Sequence, residues 1–82
     1  MKHAGSQSLA SLTALLSEIR HRTGLVEKKP GIFYRKRKAF LHFHEDEAGL
    51  FMDIRDGKDW LRLPAARHEQ CLIEVDRILA AS

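Results

Sequence analysis

Cysteine occurs once in the 82 residues, at Cys71, so neither an intrachain disulfide nor a cysteine-rich metal cage can form. A reducing cytoplasm is the simplest setting for such a chain. The opening MKHAGSQS lacks the apolar segment of a secretory leader, and no window approaches the ~20 apolar residues of a membrane helix. Also missing are a glycine-rich phosphate loop, EF-hand ligand spacing and a serine in a nucleophile-elbow sequence. These absences remove the most legible nucleotide, calcium and hydrolase signatures.

What is present suits one small globular domain. Hydrophobic residues make up 44% and charged residues 30%, well clear of the apolar poverty of disordered chains. At 9.4 kDa there is room for one modest core. Residues 1–5 are small and polar and are expected to be disordered, leaving 6–82 as a single α+β domain. The net charge of +3 attracts polyanions weakly, but its distribution is uneven. Lys28, Lys29, Arg35, Lys36, Arg37 and Lys38 precede an acidic group, Glu45, Asp46 and Glu47, so one end of the fold should be basic and the other acidic.

Periodicity orders the elements. Leu9, Leu12, Leu15, Leu16 and Ile19 recur at helical spacing after a serine cap at Ser6 or Ser8, and Gly24 is placed to end that helix. Residues 25–31, with two lysines and a Pro-Gly turn, read as a connector. A short strand over 32–35 turns at Lys36-Arg37 into the alternating hairpin KAFLHFHEDEAGLFMDIR, residues 38–55. Asp56-Gly57 is a type I′ turn signal that would set Arg55 opposite Lys58, Asp53 opposite Trp60 and Phe51 opposite Arg62. Pro64 suits the first turn of a second helix, striped by His68, Cys71, Leu72, Val75, Ile78 and Leu79. The expected architecture is a two-layer, four-stranded antiparallel β-meander flanked by an N-terminal and a C-terminal helix.

Strand parity then divides the side chains. Ile32, Tyr34, Ala39, Leu41, Phe43, Leu50, Met52, Ile54, Leu61 and Leu63 fall on a core face, and Phe33, Phe40, His42, His44, Phe51, Asp53, Arg55, Trp60 and Arg62 on the other. Register places His42 opposite Asp53, or, two residues displaced, Phe40 opposite Asp53. Four aromatics on one face are more than solvent favours. A homodimer or protein-partner interface through Phe33, Phe40, Phe51, Arg55, Trp60 and Arg62 is therefore the leading reading, with a covering helix or a ligand groove as alternatives.

Three chemistries compete for the same region. His42, His44 and Asp53 are an N/O donor set of the kind that holds a divalent metal, the one cofactor the sequence suggests; the plainer role is a histidine pair held by a carboxylate. His42 with Asp53 also resembles a general base and its orienting group, yet no nucleophile completes the set, and Cys71 belongs to a helix stripe. Arg35, Lys36, Arg37 and Lys38 beside aromatics suggest an anion or nucleic-acid patch. The stretch departs from the RNA-recognition signature, with Arg37 at a glycine position and Lys38 at an aromatic one. A non-catalytic binding protein is the expected function.

The run FLHFHEDEAGLFMDIR, followed by Asp59-Trp60, resembles small bacterial conserved proteins of unknown function that have a Phe-Leu-His-Phe-His-Glu-Asp hairpin. The resemblance covers roughly the central half of the chain. It implies a stand-alone bacterial cytosolic protein and supplies no activity.

Overall fold

In the computed structural model, which describes residues 2–81, the chain runs β1 (Lys2–His3), α1 (Ser6–Ala10), α2 (Thr13–Arg20), β2 (Val26–Lys29), β3 (Ile32–Arg35), β4 (Lys38–Asp46), β5 (Gly49–Asp56), β6 (Asp59–Pro64) and α3 (His68–Ala80). The α+β class is as expected, but the sheet is larger: β2 to β6 form a five-stranded antiparallel meander, and β1 pairs with β4 off that path. Residues 25–31 were expected to connect, yet Val26–Lys29 pairs with β3. A short, lysine-bearing edge strand has the composition of a loop because charge is how exposed edges are kept from further pairing. Of residues 1–5, expected to be disordered, Met1 lies outside the described residues and the others are within the fold. β3 stops at the Ile32↔His42 pair, leaving the far half of that β4 edge open, and Lys2 and His3 pair there with Glu45 and His44.

The expected first helix is two. Ser11 and Thr13 turn their hydroxyls back onto the carbonyls of Ser8 and Ala10, both at 2.7 Å, and the helix breaks between them. Such local bonds compete with the helical ladder. Leu9, Leu12, Leu15, Leu16 and Ile19 remain in register across the break and all are buried. At the other end, Ala65 N–H donates to Leu50 C=O, prolonging the sheet, so α3 begins at His68 instead of beside Pro64.

The core lies between these helices and one sheet face, where Leu41, Phe43, Met52 and Ile54 meet Leu15, Ile19, Cys71 and Val75. Phe33 and Phe40, expected on the opposite face, are 1% and 3% exposed members of this core. Pairing jumps from Phe33↔Leu41 to Tyr34↔Ala39, which makes Phe40 the extra residue of a β-bulge. A bulge resets parity, so Phe33 shares the inward face of Leu41 while Ile32 and Tyr34 are displaced to half-buried positions.

Turn chemistry fixes the rest. Lys36 and Arg37 both take positive φ, 51° and 71°, the conformation of a type I′ turn made without glycine or asparagine. Each such residue costs ~1–2 kcal/mol. Between β5 and β6 the central pair is Gly57-Lys58 instead of Asp56-Gly57, with Gly57 at φ 66° in the first central position, as a type II′ turn requires. The register is therefore two residues from expectation: Arg55 faces Trp60, Asp53 faces Arg62 and Phe51 faces Pro64. Between β4 and β5 the undisplaced alternative holds, with His42 opposite Asp53 and His44 opposite Phe51.

Candidate functional site on the outward sheet face

Four adjacent strands bring Ile32, His42, Asp53 and Arg62 into one cross-strand row, with His44 two residues along β4 on the same side. The alternation that buries Leu41 and Phe43 against the helices obliges His42 and His44 to face away from them. Alternation thus sets the face, and the β4–β5 register brings Asp53 beside His42.

Asp53 is the hub. It is 5% exposed, the one buried charged residue among those described. Arg62 grips it in a fork, Nε donating to Oδ1 at 2.7 Å and the terminal nitrogen to Oδ2 at 2.8 Å. His44 Nε2 lies 3.2 Å from the same Oδ2, and His42 Nδ1 4.0 Å. Burial pushes the Asp53 carboxyl up, but the Arg62 hydrogen bonds and charge, joined by the two imidazoles, outweigh it and hold the group below its usual range. The carboxylate is ionised at neutral pH.

Neighbouring side chains roof this centre. The rings of His42 and His44 meet edge-on at 4.4 Å, and Trp60 lies 4.8 Å from His42. Arg55 stacks over Trp60 at 4.5 Å, and the Arg62 guanidinium reaches over Phe51 at 6.0 Å. Water access is reduced by residues of the sheet itself, since the helices occupy the other face. Of the aromatics expected here, Phe51 and Trp60 are present, while Phe33 and Phe40 are core residues.

One imidazole nitrogen from each histidine and one Asp53 oxygen lie within 4.8 Å of one another. Ligands of a tetrahedral zinc stand about 3.4 Å apart, given bond lengths near 2.1 Å, so modest side-chain rotation would close the set. Among the described residues the cluster holds His42, His44 and Asp53 and no cysteine. Cys71 lies in the helix-side core, its thiol donating to Pro64 C=O at 3.5 Å, and burial pushes its pKa up to about 11.

The basic turn belongs to a second place. Arg35, Lys36 and Lys38 line a cleft of about 450 Å³ together with Arg55, whereas Arg37 is not on its wall. Sequence reasoning missed this cleft because half its lining comes from β5, the β5–β6 turn and α3. It also missed the Asp53–Arg62 pair. The signal was there, because a Gly57-Lys58 turn is the other two-residue loop that Asp-Gly-Lys-Asp permits.

Compared with protein-family models, curated proteins and solved structures, the chain matches none. Among the described residues no helix is long and apolar enough to cross a membrane.

Proposed function

We propose that this is a small binding protein whose site is the outward sheet face, and that the ligand this face fits best is a divalent transition-metal ion held by His42, His44 and Asp53. The observation that carries the reading is the convergence of two imidazole nitrogens and one carboxylate oxygen, supplied by adjacent strands, within 4.8 Å. Two nitrogens and an oxygen suit zinc, nickel, cobalt or ferrous iron over calcium or magnesium. Asp53 is already deprotonated, so no proton need be displaced from it, and Arg62 supplies the outer hydrogen bond that orients a ligating carboxylate. The same guanidinium repels the cation and moderates its affinity. A cytosolic location is part of the proposal, supported by the single buried thiol.

Titration with cobalt(II) and zinc(II), followed by calorimetry, cobalt absorption and imidazole NMR signals, tests the assignment. One ion per chain should bind, raise the melting temperature and perturb His42 and His44, with loss of binding in His42→Ala and His44→Ala but not in His21→Ala or His68→Ala. Equal binding by all four variants, or none by the parent, rejects it.

A second reading of the same face is association with another copy or another protein. Trp60 is 41% exposed with Arg55 stacked on it, a pairing of residue types common at interface hot spots. Light scattering on the metal-free samples separates the two: a doubled mass that Trp60→Ala abolishes and His44→Ala leaves intact assigns the face to a protein.

A further inference from the structure

The two ends of the meander differ in charge. Turns alternate along a meander, so the acidic loop between β4 and β5 lies at one end, and the Lys36-Arg37 and Gly57-Lys58 turns at the other. The cleft of about 450 Å³ opens at that basic end, beside the C-terminal end of α3. Its walls carry the cationic side chains of Arg35, Lys36, Lys38 and Arg55, and its apolar floor includes Phe40 and Ile78. Asp56 also borders it, but that carboxylate is answered by Arg77 at 2.9 Å. Among the described lining residues, four cationic side chains thus stand against one carboxylate, over an apolar base.

Two features show that the cations are positioned. Arg35 sits over the Phe40 ring at 5.5 Å and reaches Leu79 C=O at 3.4 Å, and Arg55 donates to Ala39 C=O at 2.7 Å. Each guanidinium is thus held at the cleft by a backbone carbonyl. Independently, Lys36 and Arg37 occupy left-handed backbone positions that Asn-Gly would fill without strain. Long basic residues standing where the backbone disfavours them point to a use for their charge, and of the two Lys36 lines the cleft.

We propose that the cleft binds a small phosphate monoester with an apolar, ring-bearing body: the phosphate lies among Arg35, Lys36, Lys38 and Arg55, and the body lies over Phe40 and Ile78. Four cations match a phosphate dianion better than a single carboxylate, and guanidinium forks suit its oxygens. The volume falls in the range of small-ligand sites. Arg55, stacked on Trp60, lies between this cleft and the histidine face, but the phosphate proposal does not depend on the metal reading.

The test is an NMR titration of the full chain with phenyl phosphate, inorganic phosphate and phenol at fixed ionic strength. Saturable shifts should cluster at residues 35–40, 55–57 and 78–81, with phenyl phosphate about tenfold tighter than inorganic phosphate because the ring is buried as well. The double variant Lys36→Asn, Arg37→Gly should melt at a higher temperature and yet bind phenyl phosphate more weakly, a combination no purely structural role produces. Lys38→Ala, on the strand, should weaken binding without relaxing the turn. Unchanged affinity in both variants, or shifts that do not saturate by millimolar ligand, overturns the proposal. So does an eight-nucleotide oligothymidylate that binds far more tightly than phenyl phosphate, which would make the basic end a nucleic-acid surface.

Discussion

Replacing Phe33 by Ala separates two arrangements of the same sheet. Were strand alternation unbroken from β3 into β4, Phe33 would share the outward face with His42, and its truncation would cost little. With Phe40 as the extra residue of a bulge, Phe33 instead points into the core, 1% exposed, opposite Leu41. Truncating a buried phenylalanine removes its transfer free energy and leaves a cavity, together ~3–5 kcal/mol. A chain of 82 residues has a total stability of ~4–12 kcal/mol at ordinary values per residue. The variant should therefore lose a quarter of its stability at the least, and at the low end of that range would scarcely fold. For domains of this size the loss corresponds to a fall of roughly 12–40 °C in melting temperature. Urea denaturation followed in parallel by far-ultraviolet dichroism and Trp60 fluorescence measures it. Phe51→Ala, at a half-buried outward position, is the control and should lose less than half as much. A Phe33→Ala loss below about 1 kcal/mol with an unchanged denaturant slope would refute the bulge and the inward placement together.

Two further substitutions probe how the layers are tied. Glu27 accepts from Arg20 at 2.6 and 2.9 Å and from Gly31 N–H at 2.9 Å, linking α2 to the β2–β3 turn. The Arg20 hydrogen bonds, against the opposing effect of burial, hold its carboxyl below the usual 4.5. A depressed folded pKa contributes stability above the unfolded value and loses it as pH falls through the folded one. Glu27→Gln should thus be destabilised by ~0.5–1 kcal/mol near pH 7, as expected for a half-exposed partner. The difference from the parent should shrink as pH falls below the ordinary carboxylate range and close once it passes the depressed folded pKa; a gap independent of pH contradicts this. Gly31 has φ 79°, and a Cβ there would stand 2.8 Å from Leu9 Cδ2. Gly31→Ala should cost ~1–3 kcal/mol from backbone strain and displacement of Leu9, and a thermal melt matching the parent would show that the turn is placed wrongly.

The residues that could be read in advance are those whose environment is local. Alternation over β4 and β5 is unbroken from Leu41 to Ile54, so the inward set Leu41, Phe43, Met52 and Ile54, and the outward set His42, His44 and Asp53, follow from period two alone. Across β5 and β6 the choice between Asp56-Gly57 and Gly57-Lys58 moves the register by two, an even shift. Faces are preserved while partners change, which is why Asp53 was rightly placed outward yet assigned Trp60 instead of Arg62. Phe40 is different in kind: one extra residue is an odd shift, and it turned Phe33 from one face to the other. No periodicity reports a bulge. The basic cleft was out of reach for a third reason, since Ile78 and Phe40 meet only through tertiary packing.

The same reasoning explains how a donor set can sit on a sheet without a loop to arrange it. Leu41 and Phe43 fix the backbone of β4 by burial, Met52 and Ile54 fix that of β5, and the intervening residues face outward at spacings set by the ladder. Asp53 is locked further by the Arg62 fork, which also offsets the cost of burying its charge. If the proposed ion binds, closure around it would come from the imidazoles and not from the strands or the carboxylate. His42 packs on Trp60 and His44 on His42, so a rotation that brings either nitrogen toward Asp53 disturbs the whole ring stack. On the proposed reading the histidines that define the donor set would also be the groups that adjust, above the frame that the unbroken hydrophobic alternation fixes.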